Sequence, residues 1–189
     1  LLLNNMIKVS KTKLEGVLLI KPEPYEDFRG EYLETFSERT YSEQIAKNVK
    51  GTMYQKDALH LHFVEDDIST GSHGVLKGIH GDTKTWKLVQ CLFGKFYLVV
   101  LNYNPKSKDY GKWEAFTLSD KNRLQVLIPP MCGNGHLVLS EYDMYHYKQS
   151  TYYNPEHQFT VTWNDPRFKI WWPIKTPIVS LRDETGKRK

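Results

Sequence analysis

Cysteine is nearly absent from this chain: Cys91 and Cys132, far apart, are the only two among 189 residues. That excludes a disulfide-stapled scaffold and a thiolate zinc site, and both residues read as reduced packing groups. No window reaches the ~18 apolar residues of a membrane-spanning helix. Leu1-Leu2-Leu3 is too short for a signal-peptide core and has no basic region before it. No membrane partner is expected, and a cytoplasmic location is. Clustered charge of one sign is also scarce. The net charge is +4, from 26 basic and 22 acidic residues, and the lysines and arginines are scattered except in Gly186-Lys187-Arg188-Lys189, which reads as a solvated terminus. Nucleic-acid-binding domains concentrate such charge on a stripe or helix, so no nucleic acid is expected, whereas small anions such as phosphates suit the modest excess. With only 12 glycines, and with 40% hydrophobic residues, neither low complexity nor disorder fits. The length suits a single domain over residues 1–189 that can bury a complete core.

What is present is a series of short apolar, β-branched or aromatic runs. Strands are predicted at 16–20, 31–36, 59–63, 74–80, 88–93, 95–103, 113–118, 125–128, 136–140, 144–150 and 159–163. Turn-like segments separate them, among them Asp27-Phe28-Arg29-Gly30, Asn104-Pro105, Ser119-Asp120-Lys121-Asn122 and Asn154-Pro155. One helix is predicted from Glu38 to Asn48, with Ser37 as N-cap and Ile45 and Val49 on its apolar edge. A second helical turn is placed near the C-terminus. The fold class is all-β: a cupin-like jelly-roll barrel or sandwich with one or two short helices, its interior filled at one end and open to a ligand at the other.

The most telling stretch is Gly74-Val75-Leu76-Lys77-Gly78-Ile79-His80-Gly81-Asp82, where one histidine is set between two glycines at the end of a β-type run. Glycines on either side let backbone and ligand approach the imidazole closely. A ring that titrates near working pH can carry a proton to or from a substrate. A histidine satisfied by a backbone carbonyl at a strand end is the structural alternative.

Several short motifs, in one order, resemble the nucleotide-sugar 3,5-epimerases typified by the 4-keto-6-deoxysugar epimerase of dTDP-rhamnose synthesis. They are Asp27-Phe28-Arg29-Gly30-Glu31-Tyr32-Leu33-Glu34-Thr35-Phe36, Gly74 to His80, Lys87-Leu88-Val89, Tyr110-Gly111-Lys112-Trp113, Tyr147-Lys148, Trp163-Asn164-Asp165-Pro166, Trp172-Pro173 and Ser180-Leu181-Arg182-Asp183. The resemblance implies a jelly roll that forms a homodimer by exchange of N-terminal strands, a nucleotide-diphosphate sugar as substrate, and neither cofactor nor metal. It implies His80 as base, Asp183 as the carboxylate that orients it, Tyr147 as the acid on the opposite face, and Lys87 near a developing enolate oxygen. Such chemistry needs all of these roles, because the C4 carbonyl acidifies the C3 and C5 protons and inversion removes a proton from one face and returns it to the other. Each residue also has a plain structural reading. Tyr147 shares a face with Tyr145 by period-two alternation, Asp183 is a terminal acid beside Arg182, and Lys87 suits a strand edge.

For substrate binding, the resemblance points to Arg29 and Lys77, to Glu34 near the base of the partner subunit, and to Tyr153 along the nucleotide. Lysine at position 77, where the family usually has arginine, supplies a point charge in place of a planar fork. Other departures from the rhamnose-pathway pattern are Glu65 and Asp67 before the second signature, Gly81-Asp82 after the histidine, and Asn134 with His136 in Gly133-Asn134-Gly135-His136. These features are more similar to a branch acting on GDP-linked 4-keto-6-deoxyheptoses, as in capsule assembly, where Glu65 or Asp67 would accept from a guanine N–H. A thymidine-linked hexose is the alternative. Two further readings stay open. One is a metal-dependent cupin, in which His60 and His62 at i, i+2 spacing on a strand are joined by Glu65, His73 or His136. The other is a 3,4-ketoisomerase or a binding module without turnover, which has less need of Tyr147 or of His80 with Asp183.

Overall fold

Most central strands are buried in this computed structural model, which describes residues 7–187. Leu1-Leu2-Leu3 and Arg188-Lys189 lie outside the described residues. In chain order the strands are β1 (Ile7–Lys11), β2 (Leu18–Pro22), β3 (Tyr25–Asp27), β4 (Gly30–Tyr32), β5 (Glu65–Ser72), β6 (Leu76–Asp82), β7 (Lys87–Phe93), β8 (Lys95–Asn102), β9 (Trp113–Ser119), β10 (Gln125–Ile128), β11 (Cys132–Val138), β12 (Tyr142–Gln149) and β13 (Gln158–Thr160). The helices are α1 (Glu38–Asn48), α2 (Gln55–Ala58) and α3 (Leu181–Thr185). Strands β1-β2-β10-β7-β12-β5 form one antiparallel sheet and β13-β6-β11-β8-β9 a second, while β3 and β4 make a separate hairpin. This is the predicted all-β jelly roll. No helix among the described residues is long and apolar enough to cross a membrane.

The two sheets pack face to face through Val89, Val126 and Ile128 on one side and Phe96, Leu98 and Val100 on the other. The central strands β7 and β10 are also covered on their outer face, where Leu88 and Leu127 meet Tyr41, Ile45 and Val49. Those three residues recur at i, i+4 and i+8 and are fully buried. Ser37 occupies the α1 N-cap position with extended backbone, but its side chain makes no capping bond. Burial of the three side chains, each contributing about 1.5–3 kcal/mol, therefore holds this helix in place. Polar residues in the covered strands satisfy one another: Gln125 Nε2 donates to Gln90 Oε1 at 2.8 Å, and the Tyr41 hydroxyl donates to Gln125 Oε1 at 2.8 Å. The C-terminal segment lays Val161, Phe168 and Trp172 over Leu76, Val99, Leu101 and Leu137 on the outer face of the second sheet.

Several expectations are corrected. Residues 59–63 form no strand: α2 ends at Ala58 and a loop follows, so period-two geometry does not apply to His60 and His62. Both are exposed, and the His62 ring pairs with Glu38 instead. Of the predicted 31–36 strand only Glu31 and Tyr32 pair, as part of Gly30–Tyr32, and they do so with the unpredicted β3 across the Asp27-Phe28-Arg29 turn. Strand β11 begins at Cys132, earlier than expected, which places Asn134 as well as His136 on it. Strand β5 was not predicted at all, although it pairs with β12 along its whole length, Glu65 opposite Gln149 through Ser72 opposite Tyr142. One glycine is demanded by geometry. Gly78 has φ +119°, and a Cβ there would meet Gly135 Cα at 2.5 Å and Asn134 O at 2.6 Å, so only glycine lets β6 lie this close to β11.

Candidate active site

Residues from both sheets line a cavity of about 390 Å³ between them. Strand β6 supplies Lys77 and His80, β11 supplies Asn134 and His136, and the opposite sheet supplies Lys87 from β7 and Tyr145 and Tyr147 from β12. Six of the residues singled out in the sequence thus converge with Asp183, which arrives from a distant part of the chain on α3. Ser180 caps α3, its Oγ accepting from the Asp183 amide at 3.2 Å. This cap orients the carboxylate toward β6.

His80 Nε2 lies 2.5 Å from Asp183 Oδ1. The His80 side chain keeps 28% of its surface exposed to the cavity, while that of Asp183 keeps only 3%. Burial opposes ionisation of Asp183, but the His80 ring, the Ser180 hydroxyl and the Gly78 backbone outweigh it and hold the carboxyl below its ordinary range. A carboxylate fixed on Nε2 keeps the ring proton on that nitrogen and leaves Nδ1 as the basic one. Such an arrangement can act chemically as a base with an orienting group.

Tyr147 enters from the other sheet. Burial, and then the nearby Asp67 and Glu65, push its phenol up to about 12. It remains protonated at neutral pH and yields its proton only to a strong base. The Lys87 ammonium lies 5.4 Å from the centroid of the Tyr147 ring. Burial lowers the Lys87 pKa, against the supporting charges of Asp82 and Asp67. Lys77 is anchored by donating from Nζ to Ser69 Oγ and to Thr70 O, each at 2.7 Å.

Other expected binding residues sit elsewhere. Asp82 is buried and does not line the cavity: Oδ1 accepts from the Lys84 and Thr85 amides at 2.7 and 2.9 Å, and Oδ2 from Gln158 Nε2 at 2.5 Å. It builds the turn that delivers Lys87 to the site. Arg29 lies on the exposed β3–β4 hairpin, paired with Asp27, and Glu34 on the half-buried segment that follows; within one chain neither reaches the cavity. Glu65 and Asp67 stand on the inward face of β5, where Gln149 Nε2 donates to both, at 2.8 and 3.0 Å. Tyr153 is exposed, and its amide donates to Glu65 Oε2 at 3.0 Å. Residues missed by sequence reasoning are Ser69, Tyr145, Ser180 and Arg182, all cavity-lining. The period-two pairing of Tyr145 with Tyr147 was the signal for one of them; Ser69 came with the missed strand. Among the described residues no group of three His, Cys, Asp or Glu side chains is placed to hold a metal ion.

Comparison with known proteins places the chain. Residues 11–188 match the family model described as dTDP-4-dehydrorhamnose 3,5-epimerase. The chain belongs to that family. It is 36% identical over 179 residues to the dTDP-4-dehydrorhamnose 3,5-epimerase of Neisseria gonorrhoeae, an alignment covering 93% of this chain and 51% of that protein. It therefore spans about half the length of that relative. It is 34% identical to the Methanothermobacter thermautotrophicus enzyme of the same name, with 94% of this chain and 91% of that protein covered. Its fold superposes with a TM-score of 0.83 on the dTDP-6-deoxy-D-glucose-3,5-epimerase of Legionella pneumophila, solved with dTDP-4-keto-L-rhamnose, at 29% identity and covering 94% of this chain and 89% of that one. The chain carries a histidine–carboxylate pair and a tyrosine on opposite walls of one cavity.

Proposed function

We propose that this protein inverts C3, C5 or both in a nucleoside-diphosphate 4-keto-6-deoxysugar. The observation that carries the reading is the placement of His80 with Asp183 on one sheet's side of the cavity and Tyr147 on the other. His80 Nδ1 takes a proton from the carbon next to the carbonyl, and the electron pair moves onto the C4 oxygen as an enolate. Asp183 supports the imidazolium, and the Lys87 ammonium stabilises the enolate oxygen. The Tyr147 hydroxyl returns a proton to the opposite face, which inverts the centre. A ketoisomerase, which can return its proton from the same face, has no use for a phenol in that position.

The nucleotide read first is thymidine diphosphate. Its support is the naming of the relatives for dTDP sugars and the dTDP-4-keto-L-rhamnose bound to the Legionella protein. A guanosine-linked heptose is the second reading. Glu65 and Asp67, although engaged by Gln149 and Tyr153, retain lone pairs for a guanine N–H. Proton exchange in deuterium oxide, followed by NMR with dTDP- and GDP-linked 4-keto-6-deoxysugars, tests both. Deuterium entry at C3 or C5 is expected, at least tenfold faster with the dTDP sugar. Faster exchange with the GDP sugar would reverse the order, and no exchange with either would sink the epimerase reading.

The proposed working form is a cytoplasmic homodimer. Both cysteines are buried and unbridged, which suits a reducing compartment. The β3–β4 hairpin carries Phe28, 98% exposed, between Tyr25 and Tyr32 at 63% and 66%. Three exposed aromatics around Arg29 suit insertion against a second copy, bringing Arg29 and Glu34 to the other subunit's cavity. Sedimentation analysis should give a dimer for the wild type and a shift toward monomer for Phe28→Asp. A wild type that stays monomeric at micromolar concentration would remove this assignment.

A further inference from the structure

Lysines that are scattered along the sequence meet at a second cavity, of about 600 Å³, which shares no lining residue with the first. Lys11 ends β1, Lys13 lies in the loop after it, Lys50 follows α1, and Lys108 and Lys112 belong to the loop between β8 and β9. Two carboxylates in the wall tie these segments together. The Met53 amide donates to Glu15 Oε1 at 3.2 Å, the Glu15 amide donates to Asp109 Oδ2 at 3.2 Å, and Lys112 Nζ donates to Asp109 Oδ1 at 2.9 Å. The hydroxyls are used in the same way: Thr12 Oγ1 donates to Val17 O at 3.0 Å and Thr52 Oγ1 to Val49 O at 2.6 Å. A further carboxylate, Glu114, accepts from the Lys13 amide at 2.8 Å. These groups build the wall. Lys11, Lys13, Lys50 and Lys108, all exposed, form no ion pair among the described residues, so their ammonium groups are what the wall offers to a ligand.

Five lysines against two carboxylates leave the wall with a net charge of +3. Like charges gathered on one surface repel one another, and an anion that enters relieves that repulsion. The volume is that of a small-molecule site. Each lysine brings a compact point charge and three rotatable donors on a flexible stem, with no planar fork to match a single carboxylate. Cations of that kind on separate segments suit a ligand that spreads several negative charges and many acceptor oxygens along a short flexible chain, and a triphosphate is such a chain. We infer that this second cavity binds an oligophosphate, free or at the end of a nucleotide, independently of the reaction cavity. The plain alternative is that Lys50 complements the C-terminal end of α1 and the other lysines are solvated, which predicts no saturable site. Nothing in the inference depends on the epimerase reading.

The test titrates sodium tripolyphosphate calorimetrically, at low salt, into the wild type, a Lys50→Ser/Lys108→Ser double variant and Lys77→Ala, which removes a cation from the reaction cavity instead. Both serine positions are exposed, so the double variant should keep the wild-type Tm. The expected result is saturable binding by the wild type and by Lys77→Ala, weakened about tenfold or more in the double variant and weakened in all three as salt is raised. ATP distinguishes the two sources of the phosphate chain. Affinity about tenfold above that of tripolyphosphate supports a nucleotide-borne chain, and equal affinity supports recognition of the phosphates alone. Three results overturn the site: no saturable binding at millimolar tripolyphosphate, binding that is unchanged in the double variant but lost in Lys77→Ala, or equally tight binding of a polyaspartate peptide of the same charge, which would show attraction to charge without selection of phosphate.

Discussion

His80→Ala is expected to slow deuterium entry at both C3 and C5 by roughly 10²–10⁴-fold, the usual worth of a positioned general base. In the proposed reaction one imidazole serves both carbons, which flank a single carbonyl, so both signals should fall together. The substitution should leave nucleotide binding intact, because the His80 side chain faces the cavity with 28% of its surface exposed and is not part of the core. Asp183→Asn should cost somewhat less: the amide still fills the space and still meets Nε2, but it neither fixes the tautomer nor supports a positive ring. The pH dependence separates the two. The Asp183 carboxyl, held below its ordinary range chiefly by His80 against the cost of burial, stays ionised until the pH falls below about 3.8. Its contribution to stability is likewise present above that value and lost as the pH falls through the lowered one. An acid limb of kcat/KM at higher pH in the wild type therefore belongs to another group. Measurement is by NMR exchange and by titration with the nucleoside diphosphate. Loss at only one carbon would assign the second proton to a different base, and an unaffected rate would remove His80 from the chemistry.

Much of the jelly roll was legible because its strands bury an apolar face. Strand β10, all four residues of which are buried, was bounded correctly, and α1 was legible from Ile45 and Val49. The failures have physical causes. Strand β5 reads Glu65-Asp66-Asp67-Ile68-Ser69-Thr70-Gly71-Ser72, with polar residues on its inward positions 65, 67 and 69 and its one large apolar side chain, Ile68, 58% exposed. The inward face carries two carboxylates bonded to Gln149 and, at Ser69, lines the cavity, so the hydrophobic alternation that marks a strand is missing. The opposite error, a strand at 59–63, arose from leucine, histidine and phenylalanine in a segment that packs irregularly below α1, with Leu61 and Phe63 joining the Tyr41 cluster. Of the cavity, His80, Lys87, Tyr147 and Asp183 were legible through their motifs, whereas Asp82, expected beside them, accepts from three donors in a turn outside the lining, and in sequence such a carboxylate looks like one that binds a ligand. Ser69 had no local signature, and Arg182, although inside the Ser180-Leu181-Arg182-Asp183 motif, carried no chemical role there; the pairing of β5 with β12 and the short turn of α3 bring them to the cavity.

Tyr147→Phe separates exchange from inversion. With the phenol gone, His80 still removes the proton, and its imidazolium, open to solvent through the cavity, trades that proton for deuterium. The enolate then takes deuterium back on the face it lost hydrogen from. Formation of the inverted sugar is therefore expected to fall by about 10²–10⁴-fold, while deuterium entry into unreacted substrate falls far less. The substitution removes one oxygen and leaves the ring to fill its place against Tyr145, 5.4 Å away between centroids, so the wall of the cavity is kept. The raised pKa of the phenol, about 12 through burial and the nearby Asp67 and Glu65, explains the division of labour. Such a group does not ionise to become a second base at neutral pH, but in the proposed reaction it gives its proton to an enolate, whose basicity is comparable, and regains it from solvent. The Lys87 ammonium, 5.4 Å from the Tyr147 ring centroid, offsets the negative charge that the phenolate carries in between. Product and exchange are read from the same NMR series. A parallel fall in both would make Tyr147 a substrate-positioning residue, whereas inversion that persists would mean that another donor reaches the opposite face, and the assignment of acid to β12 would fail.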